Sequence, residues 1–483
     1  ETAQFLVEGF TYTVAFDANG GTGETMATQT LEYGAEGTAP SCSYTRADYE
    51  FTGWNTRKDG TGDAIAVGGA FSNLVAAASE TGHLYAQWSL TGGVSYEVDV
   101  TPDSTPSTPK AKPIKVPSAW ITENLPGVDS DDQGKVKEAM DTKDPQTGLK
   151  PWQAYVLGVG KAEKEAQVWT ASPQVADKDK IKITGKEYKP TKNTGFTVKY
   201  RLDTQLKGAA AATKGDLAAS PEFDLDVSGE KDPTGLYTVN VVFVPDDAAD
   251  DAETVASMNT VGILKVPSPK TLEIVAVPWE ELAPSNGAPI TVANLVKKAT
   301  LTDGDKLHVY DRGSKDYKSY LYHAAEQSWE ALGVYKVTAA GLEKTGGAKE
   351  SAEQVARGSA VWLERQDASK PFFLYGQYNA NAVETKIAAR EHNLVASPTL
   401  AAFKLNDGKI TGAIGASDQI IVPQAGSQPP KVYTYKADKG WGYSKTEVKN
   451  GIVRATFCTT DDEVPAGTGF WYISKGGAPT IKW

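Results

Sequence analysis

Two related stretches decide the fold of the C-terminal part of the chain: Arg357-Gly-Ser-Ala-Val-Trp-Leu363 and Ala466-Gly-Thr-Gly-Phe-Trp-Tyr472. Other short motifs accompany each stretch in the same order, about 110 residues apart. The matched pairs are 274–278 with 394–398, 290–291 with 410–411, 304–307 with 417–420, 320–322 with 433–435, Trp329 with Trp441, and 372–376 with 480–483. A module that occurs twice predicts two domains, or two halves of one pseudo-symmetric domain.

Each copy of this module is predicted to be mostly β. Its strand-like runs are short and aromatic, and turn residues separate them, which is typical of sheets. We place the first copy at residues 270–380 and the second at 390–483, with one short helix near residues 290–298.

Upstream of the duplication, the sequence predicts three further segments. Strand-like runs of apolar residues at regular spacing predict a β-sandwich at 165–267. Residues 119–164 predict a short helical segment, in which Pro151 opens one helix and Gly158 ends it. Residues 89–118 are rich in proline, serine and threonine, a composition that cannot bury a core and that predicts an extended linker.

The N-terminal segment, residues 1–88, contains three aromatic blocks. They read Phe16-Asp-Ala-Asn-Gly-Gly21, Phe51-Thr-Gly-Trp54 and Leu84-Tyr-Ala-Gln-Trp88. In that order and at that spacing, the blocks resemble the internalin-type B repeat, also called the Listeria–Bacteroides repeat, over residues 10–88. The resemblance implies a small β-grasp-like module on secreted or surface-attached bacterial proteins, and it supplies no catalytic residues.

The predicted fold class is therefore mainly β and multidomain. A β-grasp-like N-terminal module, a β-sandwich and a duplicated β-rich C-terminal module are joined by a short helical segment around residues 119–160. The segment Trp152-Gln-Ala-Tyr-Val-Leu-Gly158 further resembles one that precedes the C-terminal β domains of large exported bacterial proteins.

The excess of acidic residues argues against two classes of binding partner. The chain has 61 acidic and 49 basic residues and a formal net charge of −12. Nucleic acids and anionic membranes attract clustered basic residues, so we expect neither partner. No stretch reaches the ~18 apolar residues of a membrane-spanning helix, so we also expect no membrane insertion. Cys42 and Cys458 lie in different predicted domains and are interpreted as unrelated thiols.

No catalytic motif stands out in the sequence. The four histidines lie in different segments, and none has the spacing of a metal site such as HExxH. No Gly-x-Ser-x-Gly elbow precedes a helix, although the members of a catalytic triad need not be neighbours in sequence. We therefore expect a protein that is not an enzyme and that uses no cofactor, with calcium as the one exception.

The calcium prediction concerns one acidic loop. Asp129, Asp131 and Gln133, followed by Gly134, match positions one, three, five and six of an EF-hand-type loop. Position twelve falls on Met140, where that loop requires a bidentate carboxylate. The alternative interpretation is an acidic helix N-terminus, which the helix dipole stabilises.

Four tryptophans recur at matched places in the two copies: Trp329, Trp362, Trp441 and Trp471. A tryptophan repeated at equivalent sites is predicted to lie in the core. A platform on which a sugar ring stacks is the alternative. Trp362 and Trp471 stand close after glycines within apolar strands, which favours burial for these two.

These observations predict a non-catalytic, exported bacterial surface protein with a structural or adhesive role. One alternative is an accessory carbohydrate-binding assembly of a larger secreted protein. Another is a fibre subunit that exchanges its terminal strand, residues 480–483, with a neighbour. The expected partners are a protein or glycan ligand at the cell surface, or a second copy of the chain.

Overall fold

The computed structural model confirms the mainly β class, since strands account for 48% and helices for 7% of it. It describes residues 10–77, 80–100, 110–129, 132–144, 149–159, 172–177, 180–228, 231–246, 254–266, 272–282, 288–296, 301–311, 316–333, 335–338, 341–344, 353–367, 369, 371–424, 428–450 and 452–483. The chain divides into two compact units. The first comprises Glu1–Gln167, Tyr188–Val198 and Phe243–Thr254, and the second comprises Val168–Glu187, Lys199–Val242 and Val255–Trp483.

The first unit begins with a small mixed sheet. Its strands are β1 (Thr11–Asp17), β2 (Gln29–Glu32), β3 (Gly37–Thr38), β4 (Tyr49–Asn55), β5 (Ala64–Ile65), β6 (Ala70–Phe71) and β7 (Thr81–Leu90). The main sheet has the order β2-β1-β7-β4-β5, with β1 and β7 parallel at its centre, and β3 pairs with β6. The central parallel pairing of the first and last strands is the feature that this sheet shares with a β-grasp, and no helix occurs among the described residues 10–77 and 80–90. Alternate residues of β1 are buried, and the Phe16 ring lies 5.1 Å from that of Trp54.

The turn after β1 explains the block Phe16–Gly21. Asn19 and Gly20 both have positive φ, which Asn and Gly adopt most readily. The Asn19 amide donates to the Ala86 carbonyl at 2.8 Å and so joins the turn to β7. A Cβ on Gly21 would lie 2.6 Å from the Trp88 ring, so only glycine leaves room for that indole.

The predicted linker at 89–118 differs from what is observed. Strands β8 (Val94–Val100) and β9 (Lys110–Val116) form an antiparallel hairpin. The linker prediction was wrong for residues 94–100 and 110–116. It relied on the proline, serine and threonine content of the segment, although the apolar residues at 94–100 alternate as in a strand. Among the described strands β9 pairs with β8 alone, and proline is tolerated on such an edge strand, as Pro113 is here. The Pro/Ser/Thr run at 101–109 lies outside the described residues.

The helices of the first unit fall within the predicted helical segment. They are α1 (Ser118–Asn124), α2 (Gln133–Asp141) and α3 (Pro151–Val156). Pro151 occupies the first turn of α3, and Gly158 follows its end with a positive φ. Both residues act as the sequence predicts.

The second unit opens with the predicted sandwich. Its strands are β10 (Ser172–Asp177), β11 (Lys180–Thr184), β12 (Phe196–Leu206), β13 (Leu217–Ala218), β14 (Glu222–Asp226), β15 (Gly235–Pro245) and β16 (Thr254–Val266), of which β12, β15 and β16 extend past the boundary of the unit. One sheet has the order β10-β11-β14. A Cβ on Gly185 would lie 2.9 Å from side-chain atoms of Val239 and Met258, so the end of β11 packs closely on β15 and β16.

The duplicated region contains the remaining elements. The first copy has β17 (Leu272–Ala276), β18 (Ile290–Thr291), α4 (Val292–Leu295), β19 (Lys306–Asp311), β20 (Asp316–His323), β21 (Ser328–Ala331), β22 (Tyr335–Thr338), β23 (Gly341–Lys344), β24 (Gln354–Val355), β25 (Ala360–Glu364) and β26 (Phe372–Gln377). The second has β27 (Glu384–Lys386), β28 (His392–Ala396), β29 (Phe403–Lys404), β30 (Ile410–Thr411), β31 (Gln419–Val422), β32 (Lys431–Lys436), β33 (Gly440–Lys449), β34 (Ile452–Thr459), β35 (Glu463–Val464), β36 (Gly469–Ile473) and β37 (Thr480–Lys482).

The sheets show that the duplication is structural. The main sheet of the first copy has the order β17-β25-β19-β20-β21, and that of the second has the order β28-β36-β31-β32-β33-β34. Corresponding strands therefore occupy corresponding places, and β34 adds one edge strand to the second sheet. The predicted helix near residues 290–298 is present as the single turn α4.

One matched pair of motifs is wrong. Ile290 of β18 pairs with Val355, and its counterpart in the second copy is Phe403, which pairs with Val464. Ile410 instead pairs with Ile481 of β37. The identical Ile-Thr dipeptides are misleading because the segment between β17 and β18 is longer than that between β28 and β29.

The predicted boundary between the sandwich and the first copy also shifts. Strand β26 joins the larger sandwich sheet, whose order is β13-β12-β15-β16-β26. It pairs with β16 from Val261 to Val266, so β16 is shared by the sandwich and the first copy. The proline pair near residue 268 suggested a boundary, but the long-range pairing of β16 cannot be read from local composition.

The two copies contact each other around a pseudo-twofold axis. The Ala276 N–H donates to the Gly467 carbonyl at 3.2 Å, and the equivalent Ala396 N–H donates to the Gly358 carbonyl at 3.1 Å. Both glycines have positive φ. A Cβ on Gly469 would lie 2.3 Å from Ile274 Cγ2, which shows how closely the strands approach. The copies are thus two halves of one pseudo-symmetric assembly.

Candidate functional site: an aromatic groove in the duplicated region

The outer faces of the two copies carry matched rows of side chains. In the first copy, Trp362 on β25 lies between Ile274 and His308 in the strand register. Its neighbours Val361 and Leu363 point to the opposite face and belong to the core. Because side chains alternate along a strand, burying Val361 and Leu363 turns Trp362 outward.

The second copy repeats this row. Trp471 on β36 lies between Leu394 and Ile421, and its neighbours Phe470 and Tyr472 are buried in the core. Trp362 and Trp471 both pack against the small apolar cluster at the pseudo-twofold axis. The axis therefore brings the two outward indoles to one surface.

The four repeated tryptophans divide into two pairs. Trp329 and Trp441 are 1% and 2% exposed, as predicted for core residues. Trp362 and Trp471 are partly exposed, so the prediction that they are buried was wrong. The alternation around them separates each tryptophan from its two neighbours, but it does not reveal which of the two faces is buried.

Other aromatic side chains hold the two indoles in place. The Trp362 Nε1–H donates to the Tyr317 hydroxyl at 3.0 Å. The Tyr310 ring lies 5.4 Å from that of Tyr317 and 5.9 Å from that of Trp471. These edge-on and tilted contacts restrict the indoles while leaving part of each exposed. Sequence reasoning missed both tyrosines, since the hairpin of β19 and β20 brings them together only in the fold.

A surface groove of about 270 Å³ lies beside the indoles. We call it the aromatic groove, and its lining is Leu272, Glu273, Ile274, Trp362, Ile421, Pro423, Gln424, Gln428, Pro430 and Trp471. Its wall therefore combines two indoles, two proline rings and two side-chain amides. Glu273 is the one charged residue among these described lining residues.

Ionisable and hydroxyl side chains lie beside Trp362 on the neighbouring strands. His308 Nδ1 is 2.7 Å from the Ser319 hydroxyl, and burial lowers the pKa of this histidine despite nearby Glu364. Lys306 donates to Glu364 at 2.9 Å and lowers the pKa of that carboxyl. Glu364 therefore lies between Lys306 and His308, whose Nε2 is 3.7 Å from Glu364 Oε2.

The first unit contains a larger cleft of about 700 Å³. Its aromatic groups are already engaged with neighbours: the Trp120 ring lies 5.3 Å from that of Tyr155, and the Arg46 guanidinium lies 4.0 Å from the Tyr49 ring centre. The aromatic groove differs from this cleft in having two indoles at equivalent places of a duplicated module, and we take it as the candidate ligand site.

The predicted calcium residues lie at the start of α2. Asp129 is exposed in the preceding turn, Gln133 is the first residue of α2, and Asp131 lies outside the described residues. Asp132 caps the helix by accepting from the Lys135 N–H at 3.2 Å. Across the described part of the chain, no three His, Cys, Asp or Glu side chains converge as a metal site. Calcium binding stays a prediction.

Calcium titration tests this prediction directly. If the loop binds calcium, we expect 5 mM Ca²⁺ (roughly a saturating excess for a site of ~10⁻⁴ M affinity) to raise the thermal unfolding temperature of the first unit, and Asp129→Ala to remove the shift. Magnesium at the same concentration is the control. Equal shifts in the variant and the unmodified chain would assign the effect to another site.

Cys42 and Cys458 are free thiols. Cys42 is partly buried, and this burial raises the pKa of its thiol. A raised pKa leaves less of the reactive thiolate at neutral pH.

The fold and the groove define the class of the protein. It is a mainly β, multidomain protein whose duplicated C-terminal region carries an aromatic surface groove. Residues 12–87 match the family model of the Listeria-Bacteroides repeat domain, which confirms the predicted B-repeat module. This repeat is typical of bacterial surface proteins. No curated protein and no solved structure matched the chain.

Proposed function

We propose that the chain is a non-catalytic, exported surface protein with an adhesive role. The observation that carries the proposal is the pair of partly exposed tryptophans, Trp362 and Trp471, held on one sheet surface. Aromatic side chains with a partly exposed apolar body are enriched at binding interfaces. The B-repeat match supports the surface location. Among the described residues, no helix has the length and apolar character needed to cross a bilayer.

The partner we propose is a protein or glycan ligand at a cell surface, rather than nucleic acid or a lipid bilayer. An accessory carbohydrate-binding role within a larger secreted protein uses the same groove and stays an alternative. The fibre alternative loses support. Strand β37, which it requires as a donor, is already paired with β27 on one side and β30 on the other.

Adhesion of coated beads tests the proposal. We expect beads carrying the chain to be retained at least about tenfold over albumin-coated beads (a difference of ~1.4 kcal/mol per tenfold) on one or more of four surfaces: epithelial cells, mucin, fibronectin and insoluble plant polysaccharide. The same surfaces should release neither reducing sugars nor peptides. Absence of retention on all four surfaces would refute the adhesive role, and release of products would refute the non-catalytic one.

A further inference from the structure

We propose that the aromatic groove binds a neutral oligosaccharide, whose sugar rings stack on Trp362 and Trp471. The inference rests on the proposed function in treating the chain as a surface-binding protein. It deepens that function by naming the site and the class of ligand.

The aromatic faces are the first argument. An indole that is partly exposed leaves apolar area in contact with water, which is unfavourable unless a partner covers it. The contacts of Trp362 with Tyr317, and of Trp471 with Tyr310 and His392, restrict both rings before any ligand arrives. A pre-organised flat surface suits the C–H face of a sugar ring, because little side-chain entropy is lost on binding.

The polar lining is the second argument. Gln424 and Gln428 supply side-chain amides, and the Gln424 Nε2–H donates to the Pro423 carbonyl at 3.3 Å. Amides can donate and accept hydrogen bonds as sugar hydroxyls do. Glu273 supplies acceptors only. Since no Lys, Arg or His stands among the described lining residues, the groove offers no cation to a carboxylate or sulfate. The chemistry therefore favours a neutral sugar over a sialylated or sulfated one.

The shape of the groove is the third argument. At about 270 Å³, it lies just below the range of roughly 300–1,000 Å³ that is typical of pockets enclosing a whole small molecule. A ligand that lies along the surface and presents one or two rings fits better than one that is engulfed. The pseudo-twofold axis provides two equivalent indoles, so successive rings of one chain can each meet an aromatic face.

A printed array of neutral, sialylated and sulfated oligosaccharides tests the inference with the full chain. We expect binding to a subset of the neutral glycans. Trp362→Ala and Trp471→Ala should each weaken that binding at least about tenfold, because the stacking contact with a sugar ring is lost. Trp→Phe at either position should recover part of the loss. Tyr443→Ala removes another exposed aromatic of the second copy and is the matched control, with binding unchanged. Near-ultraviolet circular dichroism verifies that each variant is folded.

Three outcomes would overturn the inference: no binding to neutral glycans, binding that prefers anionic glycans, and binding unaffected in folded Trp362→Ala/Trp471→Ala. The bead assay separates these failures from a failure of the proposed function. Beads that carry the double variant and still adhere would refute the sugar site while leaving adhesion intact. If the double variant no longer adheres and the array shows no glycan binding by the unmodified chain, the proposed sugar ligand would be refuted and the groove would be assigned to a protein ligand.

Discussion

Asp305→Asn should lower the free energy of unfolding of the duplicated region by about 3–5 kcal/mol, the range found when one partner of a buried ion pair is removed. Asp305 and Arg365 have fully buried side chains, and the Arg365 Nε–H donates to Asp305 Oδ2 at 3.0 Å. The carboxylate also accepts the backbone N–H groups of Gln366 at 2.7 Å and Thr302 at 2.9 Å. An asparagine removes the charge that offsets the guanidinium and places an NH₂ donor against one of these N–H donors.

The second copy supplies a matched control. Asp418 occupies the place of Asp305 and accepts the N–H groups of Gly415 at 2.9 Å and Lys475 at 2.6 Å. Its side-chain partner is the neutral Tyr472 hydroxyl at 2.9 Å instead of an arginine. Asp418→Asn should therefore cost only about 1–3 kcal/mol, the cost of disturbed hydrogen bonds without a stranded charge.

The measurement has to isolate this region, because a chain of several domains does not unfold in one two-state step. Hydrogen exchange of peptides from β19 and β25, followed as a function of urea, gives the local free energy of opening. The same measurement on β31 and β36 reports Asp418→Asn. Equal costs for the two variants would show that the Arg365 ion pair is not the dominant contribution.

The duplication illustrates what the sequence can predict. Both aspartates stand within the matched motifs 304–307 and 417–420, and the shared order of motifs predicts the shared order of strands. Motifs cannot reveal that Asp305 is buried or that its partner is Arg365, since 60 residues separate the two in the chain. A residue that recurs in both copies is predicted to occupy the same position of the fold, but its burial and its hydrogen-bond partners are not predicted.

Two of the wrong predictions, the burial of Trp362 and Trp471 and the boundary near residue 268, share one physical cause. Alternation along a strand shows that Trp362 and Val361 face opposite sides, but which side is the core depends on strands elsewhere in the chain. The same holds for β16, whose pairing with β26 was invisible to local composition. The aromatic groove combines both difficulties, because its tryptophans recur visibly in the sequence while Gln424 and Gln428 come from a segment without any motif.

Trp279, like Asp305, is a single buried side chain on which the stability of the fold depends. Gly262 on β16 and Gly376 on β26 stand directly opposite each other. A Cβ on Gly262 would lie 2.3 Å from the Trp279 ring, and one on Gly376 would lie 2.2 Å from Trp279 Cβ. The fully buried Trp279 thus lies across the glycine pair and takes the place of their missing side chains.

A double-mutant cycle tests this packing. Trp279→Ala should lower the free energy of unfolding by about 3–5 kcal/mol through the cavity it leaves. Gly262→Ala should lower it by about 1–3 kcal/mol, because the new methyl group overlaps the indole. In the double variant the methyl group of the new alanine enters space that the indole has vacated. The loss of unfolding free energy in the double variant should therefore be smaller than the sum of the two single-variant losses by about 0.5–3 kcal/mol. Hydrogen exchange of β16 and β26 measures all three variants, and strictly additive costs would show that Gly262 is required for a reason other than contact with Trp279.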